Sequence, residues 1–154
     1  MKNKEELKSF IAGLLPFATL NEGKQYLEVL VPADKWHEAA QKLKDNKKIP
    51  FDYLVSLAAV DFITKFSVVC HLESTDTHDF IVVRVDIEDH EKPQIETVSD
   101  VWVTAEYHER EAFDLFGIRF KQHPDLRRLF LEEGYGFPLR KDFKDEINII
   151  ELSN

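Results

Sequence analysis

Phe66-Ser67-Val68-Val69-Cys70-His71-Leu72-Glu73 and Phe80-Ile81-Val82-Val83-Arg84-Val85-Asp86-Ile87-Glu88 are two runs rich in β-branched and aromatic residues. Between them lies Ser74 to Asp79, a cluster of polar, turn-favouring residues. Two such runs around a turn signal predict an antiparallel hairpin. Cys70 and His71 are neighbours on the first strand and should point to opposite faces of the sheet, which disfavours a Cys-His nucleophile pair and predicts a buried Cys70.

Upstream of the hairpin, Leu7, Phe10, Ile11, Leu14 and Leu15 recur at helical spacing, and Pro16 ends that helix because its ring cannot continue the hydrogen-bond ladder. Gln25 to Val31 predicts a strand, and Pro32 to about Asp45 a helix burying Trp36, Ala39, Ala40 and Leu43. Phe51 to Val60 is nearly all apolar and is expected to be fully buried, as a strand or as a short helix plus strand. Downstream, a helix is expected from about Ser99 to Phe116, broken near Thr104 and capped by Gly117, with Ile118 to Lys121 as a short strand. The expected fold class is α+β: an open, mostly antiparallel sheet with helices packed on one face, plus an extended irregular C-terminal segment. The corresponding division is an α+β domain over 1–120 and an extended partner-binding segment over 121–154.

The chain has 154 residues, of which 44% are hydrophobic, enough for one domain with a core. A formal net charge of -9 argues against nucleic acid and against docking by charge alone on anionic lipid. One cysteine cannot form an internal disulfide, nor alone hold an iron-sulfur cluster or structural zinc. The longest uncharged stretch, Ser9 to Asn21, is thirteen residues and contains Gly13 and Pro16, so no membrane span is expected. The charged start, Met1 to Glu6, leads into an amphipathic pattern rather than a secretory signal.

Composition shifts near residue 106: five of the six arginines follow it, whereas eleven lysines precede it. Arginine's planar fork suits buried and interfacial pairing, which points to a protein partner. In Glu109-Arg110-Glu111-Ala112-Phe113-Asp114-Leu115-Phe116-Gly117, Arg110 and Asp114 share one helix face, as do Ala112 and Phe116. The same pattern also fits an ordinary charged helix. From His123 to Phe143, regular structure is not expected, yet Leu126, Leu129, Phe130, Leu131, Tyr135, Phe137, Leu139 and Phe143 are many large apolar residues for a free tail. Ordering each residue costs about 1–2 kcal/mol, so such a segment must lie on a surface, its own domain's or a partner's.

Glu109-Arg110-Glu111, Asp114-Leu115-Phe116-Gly117-Ile118, His123-Pro124-Asp125-Leu126-Arg127-Arg128 and Pro138-Leu139-Arg140-Lys141-Asp142-Phe143 follow one another with the order and spacing of a known family. Together they resemble the respiratory-chain NADH dehydrogenase 30 kDa subunit family, the C-type subunit of NADH-quinone oxidoreductase. Phe51-Asp52-Tyr53-Leu54 and Ala59-Val60-Asp61 resemble its N-terminal part. Tyr107, Phe137 and Lys144 depart from the family's frequent tryptophan, histidine and proline at those places.

The resemblance implies a cofactor-free, peripheral-arm subunit of a complex I type, proton-translocating NADH:quinone oxidoreductase, on the cytoplasmic face of the cell membrane. The C-terminal segment would wrap over the quinone-site subunit, of the 49 kDa or D type, near the iron-sulfur subunits. FMN and iron-sulfur clusters would sit in partner subunits, and the chain would support respiratory electron transport without catalysing it. Glu109, Arg110, Glu111 and Asp114 would order the start of the wrap. His123, Asp125, Arg127, Arg128, Arg140, Lys141 and Asp142 would make polar contacts to the partner.

Four other readings compete. The same resemblance extends to membrane-bound hydrogenases and to dehydrogenases with another electron donor. Composition alone also fits a non-respiratory scaffold. A stand-alone hydrolase using Glu109 and Glu111 as an acid-base pair is disfavoured because positions i and i+2 do not share a helix face. A metal at His108, Glu111 and His123 is disfavoured because no ligand-pair motif accompanies them.

Overall fold

The computed structural model describes residues 3–145. Helix α1 spans Lys4–Leu14, followed by strands β1 (Thr19–Glu22) and β2 (Leu27–Val31). A 3-10 turn over Ala33–Lys35 leads into α2 (Trp36–Asp45), and then come β3 (Tyr53–Asp61), β4 (Phe66–Glu73) and β5 (Phe80–Ile87). The chain continues through β6 (Gln94–Glu96), α3 (Ala105–Phe116) and β7 (Arg119–Lys121).

The first five strands form one sheet in the order β1-β2-β5-β4-β3, and β6 and β7 form a separate parallel pair. Within the large sheet only β2 and β5 are parallel. The mostly antiparallel α+β architecture expected from the sequence is therefore present. The hairpin at its centre is in the expected register, with Phe66 opposite Ile87 and Glu73 opposite Phe80.

Alternation decides which side chains are buried. Phe66, Val68, Cys70 and Leu72 of β4 and Ile81, Val83, Val85 and Ile87 of β5 face the helices, and so do Leu27, Val29 and Val31 of β2. Against them pack Leu7 and Ile11 of α1, the expected Trp36, Ala39, Ala40 and Leu43 of α2, and Ala105 and Ala112 of α3. Cys70 is fully buried while His71 lies on the opposite face, where its Nδ1 is 3.1 Å from the Ser56 hydroxyl.

Two sequence expectations need correction. The run from Phe51 to Val60 is strand only from Tyr53 on, and it is not fully buried: β3 is an edge strand, and Tyr53, Val55 and Val60 are exposed. An irregularity between Leu54 and Ser56 inserts Val55 as a bulge. The extra residue shifts the alternation so that Leu54 before it and Leu57, Ala59 and Asp61 after it all turn toward the helices. The second correction concerns α3, which starts at Ala105 rather than near Ser99. Residues 98–104 form turns, held by Trp102 Nε1–H donating 3.0 Å to the Phe51 carbonyl and by the Thr104 hydroxyl donating to the Leu54 carbonyl. The helix ends as expected at Gly117, whose φ of +76° is the left-handed conformation that glycine adopts without a Cβ penalty.

No regular element follows β7 among the described residues. Residues 122–145 instead form a strap that returns across α3 to the end of β3. The part of the expected C-terminal segment beyond Asp145 lies outside the described residues.

Candidate functional site: the strap and its clasp

α3 holds the strap by its polar side chains. Arg110, almost fully buried, donates from Nη2 to the Arg128 carbonyl at 2.9 Å and from Nε to the Arg127 carbonyl at 3.3 Å. One helical turn later Asp114, with no exposed surface, accepts from the Phe130 and Leu131 amides at 2.7 and 3.2 Å. Its other oxygen receives Arg128 Nη1 at 3.2 Å. Arg110 and Asp114 thus share the face expected from their spacing, but both are spent on the strap rather than on each other.

Arg128 is largely enclosed. It donates to the Asp114 carbonyl at 2.6 Å and to the Gly136 carbonyl at 2.9 Å, and its guanidinium stands 4.7 Å from the Phe137 ring centroid. Arg140 performs the same task at the helix C-terminus. Its Nε–H donates to the Phe116 carbonyl at 2.6 Å, and its guanidinium lies 5.2 Å from both the Phe66 and Phe137 rings. Carbonyls left unpaired in the last turn are thereby satisfied, helped by the Leu139 amide donating 3.1 Å to the Leu115 carbonyl. At Gly117 a Cβ would come within 2.7 Å of the Phe137 ring, so glycine is required there both by its conformation and by the strap lying against it.

The far end of the strap is fixed on the sheet. Asp61, buried at the end of β3, accepts from the Lys141 amide at 2.9 Å and the Ile63 amide at 2.7 Å, and His90 Nε2 lies 2.8 Å away. The His90 ring stacks on Phe66 with centroids 4.4 Å apart. For both Asp61 and Asp114, burial by itself raises the carboxyl, but the hydrogen bonds made to the anion outweigh it and hold each below the ordinary carboxylate value.

Glu109 differs. Fully buried, it accepts from the Val98 amide at 2.8 Å and from the Thr97 hydroxyl, yet no lysine or arginine pairs with it among the described residues. Burial pushes its carboxyl up to about 7, with Asp100 adding to the rise and the two hydrogen bonds only partly opposing it. His123 at the start of the strap lies 3.8 Å away, its side chain equally buried.

The remaining sequence-selected residues fall into two groups. Arg127 is outward-facing and ion-pairs with Asp125 at 2.9 Å, while Glu111 and Asp142 are exposed. Lys141 contributes its backbone, with its side chain turned out. Sequence reasoning missed three contributors, His90, Thr97 and Asp61's part in the clasp. Of these only Asp61 carried a signal, as a lone carboxylate at the end of an apolar strand. No group of three His, Cys, Asp or Glu side chains able to hold a metal occurs among the described residues, and His108, Glu111 and His123 do not form one.

The strap presents apolar and charged side chains outward. Phe130 is 71% exposed and Leu139 51%, while Tyr107 on α3 is 62% exposed and Val103, in the turn before that helix, 79%.

The sequence profile of the family described as "Respiratory-chain NADH dehydrogenase, 30 Kd subunit" matches residues 29–147, which includes every clasp residue. The chain belongs to this family. Members with similar sequences include the C/D subunit of the NADH-quinone oxidoreductase of Phocaeicola vulgatus, 44% identical over 126 residues. That match covers 80% of this chain but 24% of the relative. The C-type subunit of the NADH-quinone oxidoreductase of Burkholderia mallei is 38% identical over 135 residues, covering 81% of this chain and 68% of that protein. Among solved structures, a chain of the membrane-bound sulfane sulfur reductase, an archaeal respiratory membrane complex, superposes with a TM-score of 0.80 at 27% identity. The superposition covers 93% of this chain and 86% of that one. The 30 Kd family fold thus extends to a complex named for a different chemistry.

Proposed function

We propose that the chain is an accessory, cofactor-free subunit of the peripheral arm of a complex I type NADH:quinone oxidoreductase, docking on the quinone-site subunit through its strap. In this reading FMN and iron-sulfur clusters reside in neighbouring subunits, the complex lies on the cytoplasmic face of the cell membrane, and this chain positions rather than catalyses. One observation carries the proposal: the strap is fixed from within by Arg110, Asp114, Arg128 and Arg140 while Phe130, Leu139 and Arg127 are turned outward. A segment immobilised in this way has lost its conformational freedom before a partner arrives, so binding costs less entropy. An exposed aromatic and an arginine on a rigid support are the side chains that dominate interfaces.

Two further points support the partner assignment. The name of the Phocaeicola vulgatus relative joins the C and D types in one chain, of which this chain spans 24%, so the equivalent of this domain is covalently tied to a larger remainder. Among the described residues, no helix is long and apolar enough to cross a membrane, which fits attachment through other subunits. The likeness to the sulfane sulfur reductase chain favours a second reading, an equivalent subunit in a membrane-bound oxidoreductase with other redox partners.

The test is affinity purification of the tagged chain from gently solubilised native membranes, with partner identification and an assay of NADH-dependent quinone reduction. An active, cluster-bearing complex supports the first reading. A cluster-bearing complex without NADH:quinone activity supports the second. Recovery of the chain alone refutes both.

A further inference from the structure

A surface cavity of about 270 Å³ opens beside the clasp, lined by His37, Glu96, Thr97, Asp100, Lys121 and Gln122 among others. Ser99 also lines it, and from there a chain of hydroxyls runs inward. Ser99 Oγ is 2.8 Å from Thr97 Oγ1, and Thr97 Oγ1 donates to Oε2 of the buried Glu109. The polarity of this chain is reversible. With Glu109 ionised it reads Ser99 to Thr97 to carboxylate. With Glu109 protonated the acid donates to Thr97, which donates to Ser99. A proton from solvent can enter at Ser99 while each hydroxyl passes its own proton one place inward: Ser99 and Thr97 each lose one O–H bond and gain another, Glu109 gains one, and the single added charge neutralises the carboxylate.

His123 closes the other end. Its Nε2 lies 3.0 Å from the Glu106 carbonyl, an acceptor only, and so carries the proton. Its Nδ1 accepts from the Asp125 amide at 3.0 Å and so carries none. The ring is therefore neutral in this arrangement. An ionised Glu109 3.8 Å away draws on the same Nε2–H that the Glu106 carbonyl holds, whereas a protonated Glu109 does not, so the ring's position, and with it the bond from the Asp125 amide, responds to the charge on Glu109.

We propose that Glu109 is a proton-binding site, loaded from the cavity through Ser99 and Thr97, whose occupancy sets the attachment of His123 at the start of the strap. The Thr97 hydroxyl and the Val98 amide favour the anion, but no charge around the site does. Asp100, tied to His37 at 2.8 Å, faces it with like charge. From β4 the buried Cys70 thiol, pushed up by burial and by Glu109, supplies no positive charge. On its own helix Glu106 offers only its carbonyl to His123, and Arg110 points to the strap carbonyls. Glu96 and Lys121 lie at the cavity, and Asp125 is committed to Arg127. The site stands independently of which complex the chain joins.

The test is an NMR titration of the full chain carrying ¹³C-labelled glutamate side chains and ¹⁵N-labelled histidine and backbone. The Glu109 carboxyl should titrate near 7 rather than near the ordinary 4.5, and the His123 ring and Asp125 amide signals should move with the same midpoint. In Glu109→Gln those coupled movements should vanish. In Thr97→Val the midpoint should rise further, since the anion loses a donor, and proton exchange should slow. A Glu109 midpoint in the ordinary carboxylate range, or an Asp125 amide indifferent to that titration in the wild-type chain, overturns the proposal without recourse to any variant.

Discussion

Replacing Asp114 by Asn keeps the side chain's size, removes its charge and leaves one acceptor oxygen where two receive donors, so it weakens the clasp without opening a cavity. In the structure that carboxylate receives three donors, from Phe130, Leu131 and Arg128. A hydrogen bond to a charged group contributes roughly 1 kcal/mol more than a neutral one, so three together come to about 3 kcal/mol. Since about 1.4 kcal/mol is a factor of ten, the strap should open on the order of a hundredfold more often. The assay is amide hydrogen exchange resolved by residue. Phe130 and Leu131 should lose about that factor of protection, while amides of the β4–β5 hairpin, which do not touch the strap carboxylate, should change little. Arg127→Ala is the control: its ion pair with Asp125 is exposed and screened by solvent, and strap protection should hardly move. Wild-type exchange at Phe130 and Leu131 in the Asp114→Asn chain would refute the clasp. Equal loss of protection in strap and hairpin would instead show that the strap is an integral part of one cooperative unit.

Three further outcomes follow from the same geometry. Gly117→Ala should destabilise the chain by more than the roughly 1 kcal/mol of a left-handed alanine, because Phe137 must also move away from the new Cβ, and the urea midpoint should fall accordingly. Stability should have a two-sided pH profile. Asp61 and Asp114 are depressed in the folded chain, so their contribution is present above the unfolded value of 3.8 and is lost as pH falls. Glu109 is raised, so its contribution is complete below 4.5 and is lost as pH rises through about 7, by on the order of 3 kcal/mol, and Glu109→Gln should flatten only that alkaline side in thermal melts. Finally, charge reversal should separate Arg127 from Arg128. Arg127→Glu should leave strap exchange unchanged but impair recovery of the assembled complex, whereas Arg128→Glu, with a side chain 10% exposed, should open the strap in the isolated chain. Identical behaviour of the two variants would count against the division into inward and outward arginines.

The sequence by itself determined the hairpin of β4 and β5, the buried stripe of α2 and the Gly117 cap, because each rests on periodicity or on a backbone conformation open to few residue types. It also sufficed for the family, since four short blocks at fixed spacing are a one-dimensional signal. Tertiary structure alone decided the rest. Whether Tyr53–Asp61 was central or at an edge depended on strand order, and strand order is not written in any local period. The bulge at Val55 then changed which residues faced inward. The arginines near the end of the chain looked alike in sequence. Folding enclosed Arg128 and Arg140 against helix carbonyls and rings and left Arg127 in solvent. Glu109 and Glu111, two residues apart, show the same division: one sits at the bottom of a hydroxyl chain with its carboxyl pushed up, and the other faces water. A side chain's charge state follows from the dielectric and the hydrogen bonds around it, and those are supplied by residues up to eighty positions away, as the Lys141 amide on Asp61 shows.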